Sequence, residues 1–228
     1  MNLLQRARLA RARRTSRLPL QQRLLQQHSL PNLRARVADL ELTALDFETT
    51  GLDARCDHVI AAGWVRIRGD RILMASAREV HVRAQGPGGV GQSAVIHGIV
   101  DSDLEDASSA ETLLEQLLPD LAGGVVVAHA VAIERAFLAA LLRRSGGVPL
   151  PNPFVDTMAL ERRLLESEGG RVRELHSDLT LDACRRRRGL PGHQRHCAGA
   201  DALACAELFL AQVAALGGAA HVRLRELR

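Results

Sequence analysis

Apolar and polar positions alternate along this chain in two rhythms. "LTALDF" (42–47) is a short apolar run suited to a strand. "HVIAAGWVRIRGDRILMASAREVHV" (58–82) reads as two strands joined by a two-residue turn at Gly69-Asp70. "GGVVVAHA" (123–130) is a continuous apolar run, the pattern of a strand buried on both faces. Between and after these, the period lengthens to that of helices. "SSAETLLEQLLPDL" has serine capping candidates, and "IERAFLAALLRRSGG" ends in glycine. "FVDTMALERRLL" is a short strand entering a helix, and "LTLDACRRRRGL" and "AGADALACAELFLAQVAAL" are two more helices. Three meander strands followed by alternating helix and strand predict an α/β fold, a mixed sheet with helices packed on it.

Ahead of this body, "MNLLQRARLARARRTSRLPLQQRLLQQHSL" predicts one or two helices broken near Pro19, and "PNLRARVADLE" a linker. The expected organisation is a basic helical arm over 1–38, the main domain over 39–216 and a short tail over 217–228. The glycine-rich "AQGPGGVGQS" matches no P-loop or dinucleotide fingerprint.

Charge sharpens the division. Residues 1–38 hold nine arginines and no acid, while the whole chain is only +4, so the rest is net acidic. Such an arm suits a polyanion, though it also fits a solvated helix in an arginine-rich, lysine-free chain, or a mitochondrial transit peptide. It could equally dock a partner or pack back on the body. Four cysteines without a CxxC pair favour reduced thiols and a cytoplasmic setting. No uninterrupted apolar run reaches the roughly 18 residues of a bilayer span, so no membrane association is expected.

The chemistry begins at "LTALDFETTGL" (42–52). In a strand, residues two apart face the same way, about 6.5–7 Å from each other. Asp46 and Glu48 therefore share one side, with Phe47 on the other. Two neighbouring carboxylates repel and lose hydration on burial, and a divalent cation removes both penalties. Hard oxygen ligands point to Mg²⁺ or Mn²⁺ before zinc. "VVVAHAVAIERAFL" adds Glu134 at a helix start, and "HCAGADALACAELFL" adds His196 and, five residues later, Asp201. Taken singly, each of these acids could be a helix cap or a surface charge. "HQRHC" (193–197) lacks the partners of a zinc finger.

"DFETTGL", the "HGI" of "SAVIHGI", "VAHAVAIERAFL", "VDT" and "HCAGADA" occur in that order. Together they resemble the DnaQ-like 3′→5′ exonucleases of the DEDDh group, over about residues 40–214. The resemblance implies a ribonuclease-H-like, mixed five-stranded sheet and a two-metal phosphodiesterase. Asp46 would bridge two Mg²⁺ or Mn²⁺ ions, Glu48 and Asp201 would complete the tighter site, and Glu134 would support the second ion. His196 would be the general base, a role suited to a group titrating near neutrality. The sister subgroup uses tyrosine, which this chain lacks. Thr49, Thr50 and Gly51 would receive the terminal 3′-hydroxyl, Leu52 would pack on the last base, and His97 and His129 would line the nucleotide pocket. Core or loop packing is an equal alternative for Leu52 and His97. Asp156 is a fallback ligand, or the cap of the next helix.

Two departures matter. The family usually reads His-Asn-Ala-x-Phe-Asp where this chain has His129-Ala130-Val131-Ala132-Ile133-Glu134. The third aspartate is thus a glutamate, and an asparagine is Ala130. The expected activity is release of nucleoside 5′-monophosphates from single-stranded or frayed 3′ ends, of DNA ahead of RNA. An RNA-trimming or oligoribonuclease-like enzyme and an inactive nucleic-acid-binding scaffold are the alternatives. A DNA polymerase is a candidate partner and a homodimer a candidate assembly. With only five aromatic residues, substrate grip should be electrostatic, with Arg185–Arg188 as candidate phosphate contacts.

Overall fold

The computed structural model describes residues 3–83, 99, 104–167 and 178–228. His97 and most of the glycine-rich stretch lie outside the described residues. Five strands form one mixed sheet in the order β3-β2-β1-β4-β5. They are β1 (Glu41–Thr49), β2 (Val59–Arg68), β3 (Arg71–His81), β4 (Val125–Ala128) and β5 (Phe154–Asp156). β1 to β3 form an antiparallel meander, with Gly69 at φ 63° in the β2–β3 turn. β4 and β5 run parallel to β1.

The alternation in β1 divides the core. Leu42 and Ala44 face the layer containing α5 (Thr157–Ser167) and α7 (Ala198–Ala215), where they meet Leu160, Phe209 and Val213. Leu45 and Phe47 face α3 (Ala110–Leu121) and α4 (Ala132–Arg144), meeting Leu113, Leu117 and Phe137. Asp46 and Glu48 continue the first series toward α7. By length and composition alone α7 is apolar enough to cross a bilayer, but Asp201 and Glu207 interrupt it, so it is no unbroken apolar run. Here it packs along β1 and β2 as a core helix, with half its length buried.

Both flanking segments are built into this body. α1 (Leu3–Thr15) and α2 (Pro19–Gln27) form a hairpin, with Pro19 at the start of α2, where its missing N–H costs nothing. Leu9, Leu25 and Leu30 pack with Val148. Gln21 Nε2 donates to Val148 O (2.6 Å), and Val148 N donates back to Gln21 Oε1 (2.9 Å). The "linker" holds a short 3₁₀ turn with Val37 and Leu40 in the core. Val37 N donates to Val222 O, and Val222, Leu224 and Leu227 bury the end of the chain in the same core.

Candidate metal and catalytic centre

The centre forms where α7 begins beside the end of β1. Asp46 pairs in register with Gly63 of β2, and Gly63 is where α7 arrives. A Cβ there would sit 2.0 Å from the Ala198 backbone. Only glycine permits this approach, which carries Asp201, in the first turn of α7, to the β1 acids. α7 lacks a side-chain cap from its own N-cap residue, Cys197. Glu79 of β3 supplies one across the sheet: its Oε2 accepts from Gly199 N (3.3 Å) and Cys197 Sγ (3.1 Å).

Asp201 orders the loop before it. Its Oδ2 accepts from His196 N (2.7 Å), and its Oδ1 lies 2.6 Å from His193 Nε2. His193 Nδ1 is 3.1 Å from Asp182 Oδ1 but off the line of a good hydrogen bond. The other Asp182 oxygen takes Arg195 Nε at 3.1 Å. Asp182 thus ties down two residues of the loop that presents His196. That histidine is exposed, with φ 59°, a left-handed conformation in which a side chain is strained. Donor atoms of Glu48, His196 and Asp201 all come within 4.8 Å of one another.

Glu134 enters from the other layer, in the first turn of α4. It is 4% exposed, and its Oε2 has no hydrogen-bond partner among the described residues. Burial pushes its pKa up to about 8, with the Asp156 charge adding to the rise. Burial raises Glu48 to about 7, helped by Asp201 and Glu79. Asp46 is driven well above the carboxylate range by burial, then by Glu134, Asp201 and Glu48. Three carboxyls from two layers therefore press on Asp46, leaving an under-compensated anionic cluster around it. A buried, unpartnered carboxylate oxygen beside such a cluster fits the oxygen-donor set of hard divalent cations.

The sequence profile of the exonuclease family, the RNase T group, matches residues 43–209, which takes in β1 through most of α7. This chain belongs to that exonuclease family. It is 31% identical over 178 residues to the PolC-type DNA polymerase III of Thermotoga maritima, covering 75% of this chain but only 12% of that protein. It is 30% identical over 172 residues to the DNA polymerase III epsilon subunit of Treponema pallidum, covering 75% of this chain and 76% of the subunit. Among solved structures, exonuclease X in complex with 5′ overhanging duplex DNA superposes with a TM-score of 0.59 at 22% identity, over 82% of this chain and 99% of that one. The zinc-bound E. coli exonuclease I–ssDNA complex gives 0.64 at 15% identity, over 77% and 41%. The fold is therefore the mixed-sheet, ribonuclease-H-like fold of DnaQ-like exonucleases.

Against the family motifs, the remaining candidates separate. The turn after Glu48 is tightly braced. Thr50 N donates to His58 O, and Thr50 Oγ1 accepts from His58 N (3.0 Å). Asp57 Oδ2 accepts from Asp53 N (2.8 Å), and Thr49 Oγ1 donates to Gly51 O (2.6 Å). At the family glycine, Gly51, a Cβ would lie 2.5 Å from the Asp57 carboxylate and displace it from its hydrogen bonds. Arg144 of α4 clamps the loop by donating to Asp57 O, Ala54 O and Arg55 O. On this rigid turn Leu52 stands 83% exposed, which rules out core packing.

His129 is differently employed. Its Nδ1 lies 2.9 Å from Thr157 Oγ1 and its Nε2 2.8 Å from Leu179 O, so neither ring nitrogen is left for a substrate. Asp156 is a cap: its Oδ1 accepts from Met158 N (2.9 Å), Ala159 N and Ala130 N. Ala130, at the family's asparagine position, has φ 63°, where asparagine is far better tolerated.

The arginine run also turns inward. Arg185 is 2% exposed and donates to Ala204 O (2.8 Å) and Pro191 O (2.9 Å). Arg187 and Arg188 pair with Glu161, whose side chain is fully buried. These three arginines hold helices together, so the expectation that the run grips phosphate is corrected. Arg186 alone of the four is exposed.

Proposed function

We propose that this domain removes nucleotides from the 3′ end of single-stranded or frayed DNA, releasing nucleoside 5′-monophosphates. The observation that carries the reading is the meeting of Glu48, His196 and Asp201 donors within 4.8 Å, beside Asp46 and the unpartnered oxygen of buried Glu134. Asp46, Glu48, Asp201 and Glu134 would hold the divalent cations. When bound, such ions supply charge for the attacking and leaving oxygens of an in-line displacement.

The chain's own groups do the rest. His196 stands exposed at the mouth of the centre, where it can take the proton of the attacking water. Its backbone N–H, held by Asp201, couples the base to the acid that shares its work. The braced turn of Thr49, Thr50 and Gly51 offers a rigid seat for the terminal sugar, and Leu52 an apolar edge for the last base. Excluding DNA movement at that seat is worth rate, since misplacement of reacting groups is costly. DNA is favoured over RNA because the relatives are DNA polymerase III proteins and the structural neighbours carry DNA in their complexes. The same relatives favour work beside a replicative polymerase.

The test is nucleotide release from a 3′-labelled oligonucleotide with Mg²⁺ or Mn²⁺, compared with an Asp46→Ala variant. Metal-dependent 5′-monophosphate release that the variant lacks supports the reading. No release from any DNA or RNA overturns it and leaves a binding module.

A further inference from the structure

With three of the run's four arginines spent internally, most of the electrostatic grip on substrate must come from elsewhere. An open groove runs from Leu52 along the outer face of α4 to Pro149, Leu150 and Phe154. Its floor is low, made by alanines of α4 such as Ala132, Ala136 and Ala139. Arg135 and Arg143 rise from that floor. Neither forms an ion pair among the described residues, and Arg135 lies over the Phe154 ring, 5.7 Å from its centre. Asp53, the one acid among the described residues of the lining, is taken by Arg55 at 2.6 Å. The groove is therefore a cationic channel that starts at the active-site turn.

Its far end meets the N-terminal arm. Leu150 lines both this groove and the seam under α1 and α2. Arg17 N donates to Gly146 O (2.9 Å), and Gln21 brackets Val148, within a few residues of Arg143 and Pro149. Beyond that anchor, Arg6, Arg8, Arg11 and Arg14 of α1 are all exposed, and no acid occurs before Asp39 to offset them. The family profile does not cover the arm.

We infer that the α4 groove and the docked arm form one continuous track for the sugar–phosphate backbone of the nucleic acid, leading away from the 3′ end held at Leu52. Resting on the proposed function, this assigns the arm to substrate capture. α4 spans about 20 Å at the usual helical rise, so an oligonucleotide of a few nucleotides occupies the groove and only a longer one reaches the arm. The grip is coulombic, so affinity depends on salt, and each phosphate neutralised on a single strand adds about 0.7 to the steepness of that dependence.

The experiment measures anisotropy of labelled oligo-dT in Ca²⁺, with a strand of about 4 nucleotides and one of about 30, on the full chain across a salt series. Two variants are compared: Arg135→Gln with Arg143→Gln, and Arg6→Gln with Arg8→Gln, Arg11→Gln and Arg14→Gln. The track predicts that the groove variant weakens both lengths. The arm variant weakens only the long strand, by tenfold or more at low salt, and makes its salt dependence shallower by about 0.7 for each arginine that had paired with a phosphate. Unchanged long-strand affinity and slope in the arm variant overturns the inference and leaves the arm a surface for a protein partner. Hydrolysis of a small p-nitrophenyl ester of thymidine 5′-monophosphate by the wild type, followed in parallel, reports catalysis separately from strand binding. If the wild type fails to cleave that ester or any oligonucleotide, the catalytic reading fails while the binding result still decides the track.

Discussion

Stripping divalent ions from this protein should make its stability fall as pH rises. Glu134 has an ordinary carboxyl pKa of about 4.5 when unfolded and about 8 when folded. Between those values the folded state binds more protons than the unfolded one, so stability is lost with increasing pH. Asp46 and Glu48 are raised too and act in the same direction. His58 and His129 are depressed by burial and act oppositely, but only below their unfolded value of about 6.5. The clean window is therefore pH 6.5 to 8. Over those 1.5 units, with the slope fading as pH reaches the folded pKa, Glu134 alone contributes a loss of about 1.6 kcal/mol, equivalent to about 3–6 °C in Tm for a chain of this size. The assay is thermal denaturation in EDTA at several pH values across the window, repeated with Mg²⁺ or Mn²⁺ and with Glu134→Gln. Saturating metal should flatten the decline by stabilising the ionised cluster, and Glu134→Gln should reduce it while easing the pressure on Asp46. A flat Tm in EDTA across the window, or a decline unaltered in Glu134→Gln, would refute the claim that these carboxyls crowd one another without compensation.

Replacing His196 by Gln should lower kcat by about 10²–10⁴-fold while Mn²⁺ binding, followed calorimetrically, changes little. Asp182→Ala should loosen the loop that holds His193 and Arg195, cutting kcat with a smaller effect on Tm, and Asp182→Asn should recover part of the loss. Gly63→Val should drive α7 off β2, destabilising by upwards of about 3 kcal/mol and weakening Mn²⁺ uptake, although Gly63 is no ligand. Ala130→Asn should relieve the left-handed alanine and raise stability by about 1 kcal/mol, read as a few degrees in Tm.

What the sequence disclosed was whatever is coded locally. The i, i+2 spacing of Asp46 and Glu48 places them together in any strand, and the β2–β3 turn follows from Gly69-Asp70. The acids of α4 and α7 were legible because each stands in the first turn of a helix within a recognisable motif. Contacts made across the fold left weaker traces. Nothing near Glu79 in the chain indicates that it caps a helix 120 residues away. His193 looked like part of a failed zinc pattern, and its bridge between Asp182 and Asp201 exists only once α6 (Leu181–Arg187) and α7 meet. Gly63 did carry a signal, since a glycine inside an apolar strand marks a close backbone approach. The arginine run misled because charge density says nothing of direction: buried Glu161, the partner that draws two of its members inward, lies on another helix.

α7 serves as the spine of the domain while carrying Asp201 at its tip. Its Cys205, Phe209 and Val213 are fastened into the interior, so this last acid has no private hinge on which to swing. Amide hydrogens through the middle of that helix should exchange only when the whole body opens. Switching this enzyme off by moving Asp201 would require melting it, which leaves the preceding segment around His196 as the place where on and off could be told apart.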